Sequence, residues 1–267
     1  MVNSLKNLIN MLSGSLLAML LTGLISNVQA EQVLATSGPN RTPIVELYTS
    51  EGCSSCPAAD QWIAKLGDAI GDEIQAVPLA FHVDYWNRLG WPDPFSDSRF
   101  TERQRQLAFN NKQRSIYTPE FLVSGRESRG TTAVVKEIRR ANSELAKVMI
   151  SFGVIKGIDN NVTAEMLVDS SLDGAELYLA VFENNIVRQI KGGENKGRTL
   201  HHDFVVRHWD RAATLGQGEY KGLHNIEIGE DWNMAELGLA AVVIDPSTGD
   251  TLQALSADIA PVFNSGS

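Results

Sequence analysis

Pro43-Ile44-Val45-Glu46-Leu47-Tyr48-Thr49-Ser50-Glu51-Gly52-Cys53-Ser54-Ser55-Cys56-Pro57 holds both cysteines of the chain between an apolar run and the start of a helical pattern. Its opening, Pro43 to Tyr48, is dominated by β-branched, aliphatic and aromatic residues and predicts a strand. Thr49-Ser50-Glu51-Gly52 reads as a turn. From Pro57 onward Ala59, Trp62, Ile63 and Leu66 recur at helical spacing, and Gly67 marks the stop. The two cysteines therefore sit where a strand hands over to a helix.

Downstream, Ile74 to Val83 carries the apolar cluster Leu79-Ala80-Phe81 and predicts a buried strand. Asp84 to Phe95 is rich in aromatics, proline and glycine, the composition of an irregular loop. A helix is expected from Ser98 to about Asn111, a strand over Glu120 to Val123, a turn at Ser124-Gly125-Arg126 and a further helix from Thr131 to about Lys147. The order resembles the thioredoxin plan with an insertion. Past Lys147 the texture changes to short alternating runs separated by turn clusters such as Asp159-Asn160-Asn161 and Pro246-Ser247-Thr248-Gly249, which predict a small antiparallel sandwich. The expected fold class is α/β, a thioredoxin-like domain followed by a small β-sandwich-like region.

Upstream, the first thirty residues carry one charge, Lys6, then an apolar stretch from Leu16 to Leu21, and end in Val28-Gln29-Ala30. That is the pattern of a secretory signal peptide cleaved after Ala30. The apolar core is shorter than the ~20 residues a membrane-spanning helix needs. The expected organisation is a signal peptide over 1–30, a thioredoxin-like domain with a helical insert over 31–147, and a β-rich domain over 148–267. Residues 31–41 read as a polar linker. The expected location is the periplasm or the cell exterior, an oxidising solvent.

Net charge is −9, and removal of Lys6 with the signal makes it −10. An acidic chain without Lys/Arg runs has no footprint for nucleic acid or anionic lipid. Neither a glycine-serine-glycine nucleophile elbow nor a phosphate-binding glycine loop is present. The only two cysteines are Cys53 and Cys56, which excludes a disulfide-rich scaffold and a four-cysteine zinc site within one chain.

A dithiol at a strand-to-helix junction puts the first sulfur near the unpaired amides of the helix start, which favour negative charge. The thiolate is the reactive form, so Cys53 is the candidate nucleophile. Cys56, one turn on and more enclosed, is suited to resolve a mixed disulfide. A passive disulfide closing a loop of four residues would constrain the unfolded chain little. His82 and Asp84, with Tyr85 and Trp86, would reach the same end of the sheet. Two thiolates and His82 could hold copper(I) or zinc, although the commoner role for such a histidine is a hydrogen-bonded core residue. No metal or other cofactor is expected. Further on, Gly192-Gly193-Glu194-Asn195 reads as a glycine-rich turn leading to a strand around His201-His202 that packs on the first half.

Val45 to Asp60 is similar to the opening motif of the secreted bacterial proteins grouped as domain of unknown function 1223, a branch of the thioredoxin-like superfamily. Phe81 to Trp91, Phe100 to Gln104, Tyr117-Thr118-Pro119 with Gly125-Arg126, and Gly193 through Arg207 resemble its later motifs. The resemblance implies export and a thioredoxin-like fold and names no substrate. In thioredoxin-like proteins a cis-proline faces the dithiol, which would be Pro119, with Thr118 exposing backbone to a substrate peptide. A buried acid on the strand entering the motif would be Glu46, relaying the proton of the second cysteine, on a segment one residue longer than in thioredoxins.

The functional expectation is a thiol–disulfide oxidoreductase or redox carrier acting on protein thiols or disulfides. Cys53 and Cys56 would do the exchange, Pro119 and Glu46 would assist, and the partner would dock at Thr118, Trp86 and Trp91. The alternative is a binding module, with copper(I) on the same cysteines.

Overall fold

The β-rich run 44–49 forms a strand because it lies inside an eight-stranded sheet, with all six residues buried. The computed structural model describes residues 33–157 and 161–264. The expected signal peptide lies outside them. The elements are β1 (Val33–Thr36), β2 (Ile44–Thr49), α1 (Cys56–Ile63), α2 (Leu66–Ile70), β3 (Val77–His82), a 3-10 turn (Asp84–Leu89), α3 (Ser98–Asn110), β4 (Glu120–Val123), β5 (Arg126–Glu127) and α4 (Thr131–Asn142). They continue with β6 (Val148–Lys156), β7 (Asn161–Ser170), β8 (Ala175–Glu183), β9 (Ile186–Gln189), β10 (Thr199–His202), β11 (Val205–Leu215), β12 (Gly218–Glu227), β13 (Leu237–Ile244), β14 (Thr251–Asp258) and α5 (Pro261–Asn264).

The large sheet has the order β14-β13-β8-β11-β3-β2-β4-β5. β2 and β3 are parallel, joined through α1 and α2, and β4 runs antiparallel to β2. β11 lies parallel to β3 at Val205 and Ala80, and antiparallel to β8 along its length. A four-stranded sheet, β1-β6-β7-β12, forms a second layer, and β9 and β10 make a separate hairpin. The result is a mixed α/β architecture, mostly sheet with several helices.

Alternation along each strand divides the core into three clusters. On one face of the large sheet, Val45 and Leu47 pack under Ala59 and Ile63 of α1 and Val134 and Ile138 of α4. On the other, Tyr48, Leu79 and Phe81 pack with Phe100 and Leu107 of α3, and Ala180, Phe182 and Val242 extend that cluster into the second half. Leu177, Leu179, Leu239 and Ala241 face Ile150, Phe152, Ala164 and Met166 of the four-stranded sheet.

The expected break between residues 147 and 148 is not a break in the sheet, because β8, β11, β13 and β14 continue the layer that β2, β3, β4 and β5 begin. The described residues form one compact unit. Besides the β9–β10 hairpin, β6, β7 and β12 stand apart in a second sheet. They are joined by β1, which occupies the segment read as a linker and pairs Ala35 with Phe152.

α3 is fastened to the sheet by a buried charge. Both oxygens of Glu46 accept hydrogen bonds from the Arg103 guanidinium at 2.9 Å, and one of them also accepts the Tyr48 hydroxyl at 2.7 Å. The guanidinium lies over the Trp209 ring at 4.7 Å. Removing one partner of a buried, hydrogen-bonded pair leaves the other charge stranded. Arg103→Ala is expected to lower the unfolding free energy by about 3–5 kcal/mol in urea denaturation; a loss below about 1 kcal/mol would show that the pair does not hold the helix.

Candidate functional site

Helix α1 begins at Cys56, with Pro57 in its first turn, where the missing N–H costs nothing. Cys53 lies in the turn ahead of the helix, its N–H donating to the Ser50 carbonyl at 3.1 Å. The sulfur was expected to meet the free amides of the helix start; a backbone hydrogen bond from Ser55, the N-cap, is among its contacts, alongside side-chain groups with a larger effect. Both cysteines are free and buried, Cys53 at 1% exposure and Cys56 at 0%. A hydrogen bond with the Cys56 thiol is the main influence on Cys53. It outweighs the opposing effect of burial, and with contacts from Ser55 and the Thr118 hydroxyl it brings the Cys53 pKa down to about 6. Cys56 moves the other way: burial, its bond to Cys53 and the negative charges of Cys53 and Asp60 push its pKa far up. One thiol is set to ionise and the other to keep its proton.

Thr118 touches both sulfurs, and its hydroxyl also accepts the Trp86 indole N–H at 2.8 Å. The Thr118–Pro119 peptide is cis. Pro119 lines a surface groove with Tyr117, Phe121 and Arg129. Trp86 packs on Gly52, where an added Cβ would lie 3.3 Å from the Trp86 Cβ. Cys53, Cys56, Thr118 and Trp86 are therefore brought together, with Pro119 following directly. Glu46 does not join them. It has the strand parity of Tyr48, on the α3 face, whereas α1 covers the Val45 and Leu47 face, and its carboxylate is taken up by Arg103 and Tyr48.

Trp91 lies one step further out, its indole N–H donating to Glu51 at 2.7 Å. Glu51 has no solvent exposure; its other oxygen accepts from Arg188 at 3.1 Å, and its own N–H donates to Asp93 at 2.8 Å. Asp93 also bonds the His82 Nδ1 at 2.7 Å. Burial opposes charge on both. The mutual attraction of the pair prevails, holding the His82 pKa above its ordinary value and that of Asp93 below. His82 is thus a paired core residue. Among the described residues no grouping of three or more His, Cys, Asp or Glu side chains is arranged to hold a metal ion.

The second half of the chain closes over the motif. Asn195 is fully buried and donates to the carbonyls of Glu51 at 2.9 Å and Cys53 at 2.8 Å, and Glu194 accepts the Ser54 N–H at 3.0 Å. The two glycines ahead of them permit this approach. A Cβ on Gly192 would stand 2.5 Å from the Gly90 carbonyl oxygen, and Gly193 takes a positive φ of 66° against Trp91. The expected glycine-rich turn is present, and the strand it leads to, β10, lies against α1. Asp60 and His202 were not singled out as site residues by sequence reasoning. Asp60 sits four residues after Cys56 on α1, a spacing that could have flagged it; nothing local in the sequence ties His202 to the cysteines.

A family model described as a protein of unknown function, DUF1223, matches residues 44–244, from β2 through β13. The chain belongs to the DUF1223 family. The match bears out the resemblance read from the motifs at 45–60, 81–91 and 193–207. A crystal structure of an Agrobacterium tumefaciens protein is similar to this DUF1223 chain with a TM-score of 0.59 at 22% identity, covering 82% of this chain and 95% of that one. The structure of HBP35 of Porphyromonas gingivalis gives a TM-score of 0.63 at 16% identity, over 83% of this chain and 76% of the other. These likenesses are of fold alone. No curated protein matches the sequence.

Alkylation of reduced protein should show Cys53 reacting with a midpoint near pH 6. In Cys56→Ala the midpoint should rise toward the free-cysteine value of ~8.5, because the donor that favours the thiolate is gone. An unchanged midpoint would assign the low pKa to other groups.

Proposed function

We propose that this protein is an exported thiol–disulfide oxidoreductase or redox carrier, whose first half is a thioredoxin-like unit and whose partners are protein thiols or disulfides. The observation that carries the proposal is the pair of free cysteines at a strand-to-helix junction, sharing a hydrogen bond with each other and a hydroxyl, that of Thr118. The β2-α1-β3 unit, the antiparallel β4-β5 pair and α4 packed over the dithiol face are the elements such a unit needs. The thiol signature of the sequence and the apolar leader ending at Ala30 support action in an oxidising compartment. Among the described residues no helix is long and apolar enough to cross a membrane.

In the proposed reaction Cys53 thiolate attacks a partner disulfide, forming a bond between the Cys53 sulfur and one partner sulfur and releasing the other as thiolate. Cys56 then gives up its proton and attacks the Cys53 sulfur, forming the internal disulfide and expelling the second partner sulfur. Two electrons pass from the dithiol to the partner. Run backwards, the same steps oxidise a partner dithiol. Access to Cys53, at 1% exposure, requires its cover to give way. Trp86, packed on Gly52 and tied to Thr118, and the Asn195 side chain, bonded to the Cys53 carbonyl, are the neighbours that would move. The copper(I) reading has the same two sulfurs available, but among the described residues His82 is not grouped with them as a third ligand.

Cys56→Ser is expected to trap a mixed disulfide on Cys53 when the reduced protein meets a disulfide-bonded substrate, and Cys53→Ser to abolish exchange. Intact mass and an insulin-reduction assay read the two outcomes. Full exchange activity in Cys53→Ser would overturn the proposal; one equivalent of copper on the reduced protein, lost in Cys53→Ser, would favour the binding module.

A further inference from the structure

Cys56 presents a chemical problem that the dithiol itself does not solve. It has no exposure, and burial together with the neighbouring negative charges holds the proton on its sulfur. A resolving thiol so placed needs a base that water cannot supply.

We propose that Asp60 takes the proton from Cys56 as Cys56 attacks the mixed disulfide on Cys53, and that His202 is the positioning residue that holds Asp60 in place and balances the charge. The inference rests on the exchange reading above. Asp60 is one helical turn after Cys56 on α1, so the two side chains lie on the same side of the helix. Asp60 is 4% exposed, and one of its oxygens accepts the Thr49 hydroxyl at 2.8 Å. Its other oxygen lies 3.6 Å from Nδ1 of His202.

His202 supplies the second, independent observation. Its side chain is 1% exposed and neither ring nitrogen makes a hydrogen bond, while Nε2 stands 3.6 Å from the Glu51 carboxylate. Buried polar groups are ordinarily satisfied, and leaving both nitrogens of an imidazole open costs stability. An imidazole set between two buried carboxylates, one of them a helical turn from the resolving cysteine, is placed to hold Asp60 in position. Other ionisable groups acting on this centre are Cys53, His82 and Asp93. Glu51 and Tyr85 complete the surroundings, Glu51 acting on His82 and Tyr85 near Cys56. Burial raises the Asp60 pKa, against the pull of His202, His82 and Thr49, bringing it closer to the working pH as a proton acceptor requires.

The proton balance is simple. Asp60 carboxylate becomes the acid as the Cys56 sulfur forms its bond to Cys53. The departing thiolate carries off the electron pair of the broken mixed disulfide. Asp60 afterwards returns its proton to solvent or to that leaving thiolate.

The test follows the reaction of the reduced full chain with glutathione disulfide, quenched with acid and read by intact mass across a range of pH. In the wild type the glutathione adduct on Cys53 is expected to be transient. In Asp60→Asn the adduct should accumulate, with resolution about 100-fold slower near neutral pH and the deficit shrinking as the pH rises. Asp60→Glu, which keeps the carboxylate, should recover most of the rate. His202→Gln should move the pH profile of resolution. Resolution in folded Asp60→Asn with the wild-type rate and pH profile overturns the proposal and leaves exchange intact. So does a loss in folded Asp60→Glu equal to that in Asp60→Asn. Should Asp60→Asn fail to fold by circular dichroism, His202→Gln decides, and an unmoved profile there overturns the proposal. A wild-type chain that forms no adduct, or never resolves it, takes the exchange reading down as well.

Discussion

A carboxylate shut away from water must be satisfied from within the protein, and Glu51, two residues ahead of Cys53, has no solvent contact at all. The side chains that satisfy it come from distant stretches of chain: Trp91 from the insert after β3 and Arg188 from β9, with the His202 ring of β10 standing 3.6 Å away. The Asn195 side-chain amide donates to backbone carbonyls of the same turn, and Asp93 accepts the Glu51 N–H. The turn that carries the cysteines is thus held in shape by the second half of the molecule. A first half excised at residue 147 would leave Glu51 without Arg188, its charged partner, and without the neighbouring His202. That makes the β-rich half part of the proposed site rather than an appendage.

The same dependence explains what could be read from the sequence and what could not. β2, α1, β3, α3, β4 and α4 follow from runs whose periodicity matches their burial, and their expected bounds differ from the observed ones by a few residues. α1 breaks near Ala64 and resumes as α2, which a single apolar stripe from Ala59 to Leu66 conceals. β12 leaves a faint mark in the sequence because it is the edge strand of the small sheet, half exposed on alternate residues, and its Gly218-Glu219-Tyr220-Lys221-Gly222 carries little apolar signal. β1 looked like a linker for a similar reason: it is short and marginal, and its role appears only once β6 is beside it. The pairing of β11 with β3 is a contact between residues far apart in sequence, and no local pattern encodes it.

At the site, the cysteines, Thr118, Pro119 and Trp86 were legible because each lies within a short motif. Glu46 illustrates the limit of such reading. A strand places successive side chains on opposite faces, and nothing in Val45-Glu46-Leu47 says which face the following helix will cover. The structure puts α1 over Val45 and Leu47, which sends Glu46 to Arg103. Asp60, on the helix itself, is the acid left facing the resolving cysteine's side. Its histidine partner arrives from β10, and that meeting depends on the whole fold.

The equilibrium reduction potential of the Cys53/Cys56 couple, measured in glutathione buffers with alkylation and mass readout, tests the dithiol role most directly. A thiolate with a lowered pKa, backed by a thiol held protonated, predicts a labile couple with a potential above roughly −230 mV. A value below roughly −300 mV would mark a disulfide that the glutathione pool cannot reduce, and would contradict an exchange function for the pair.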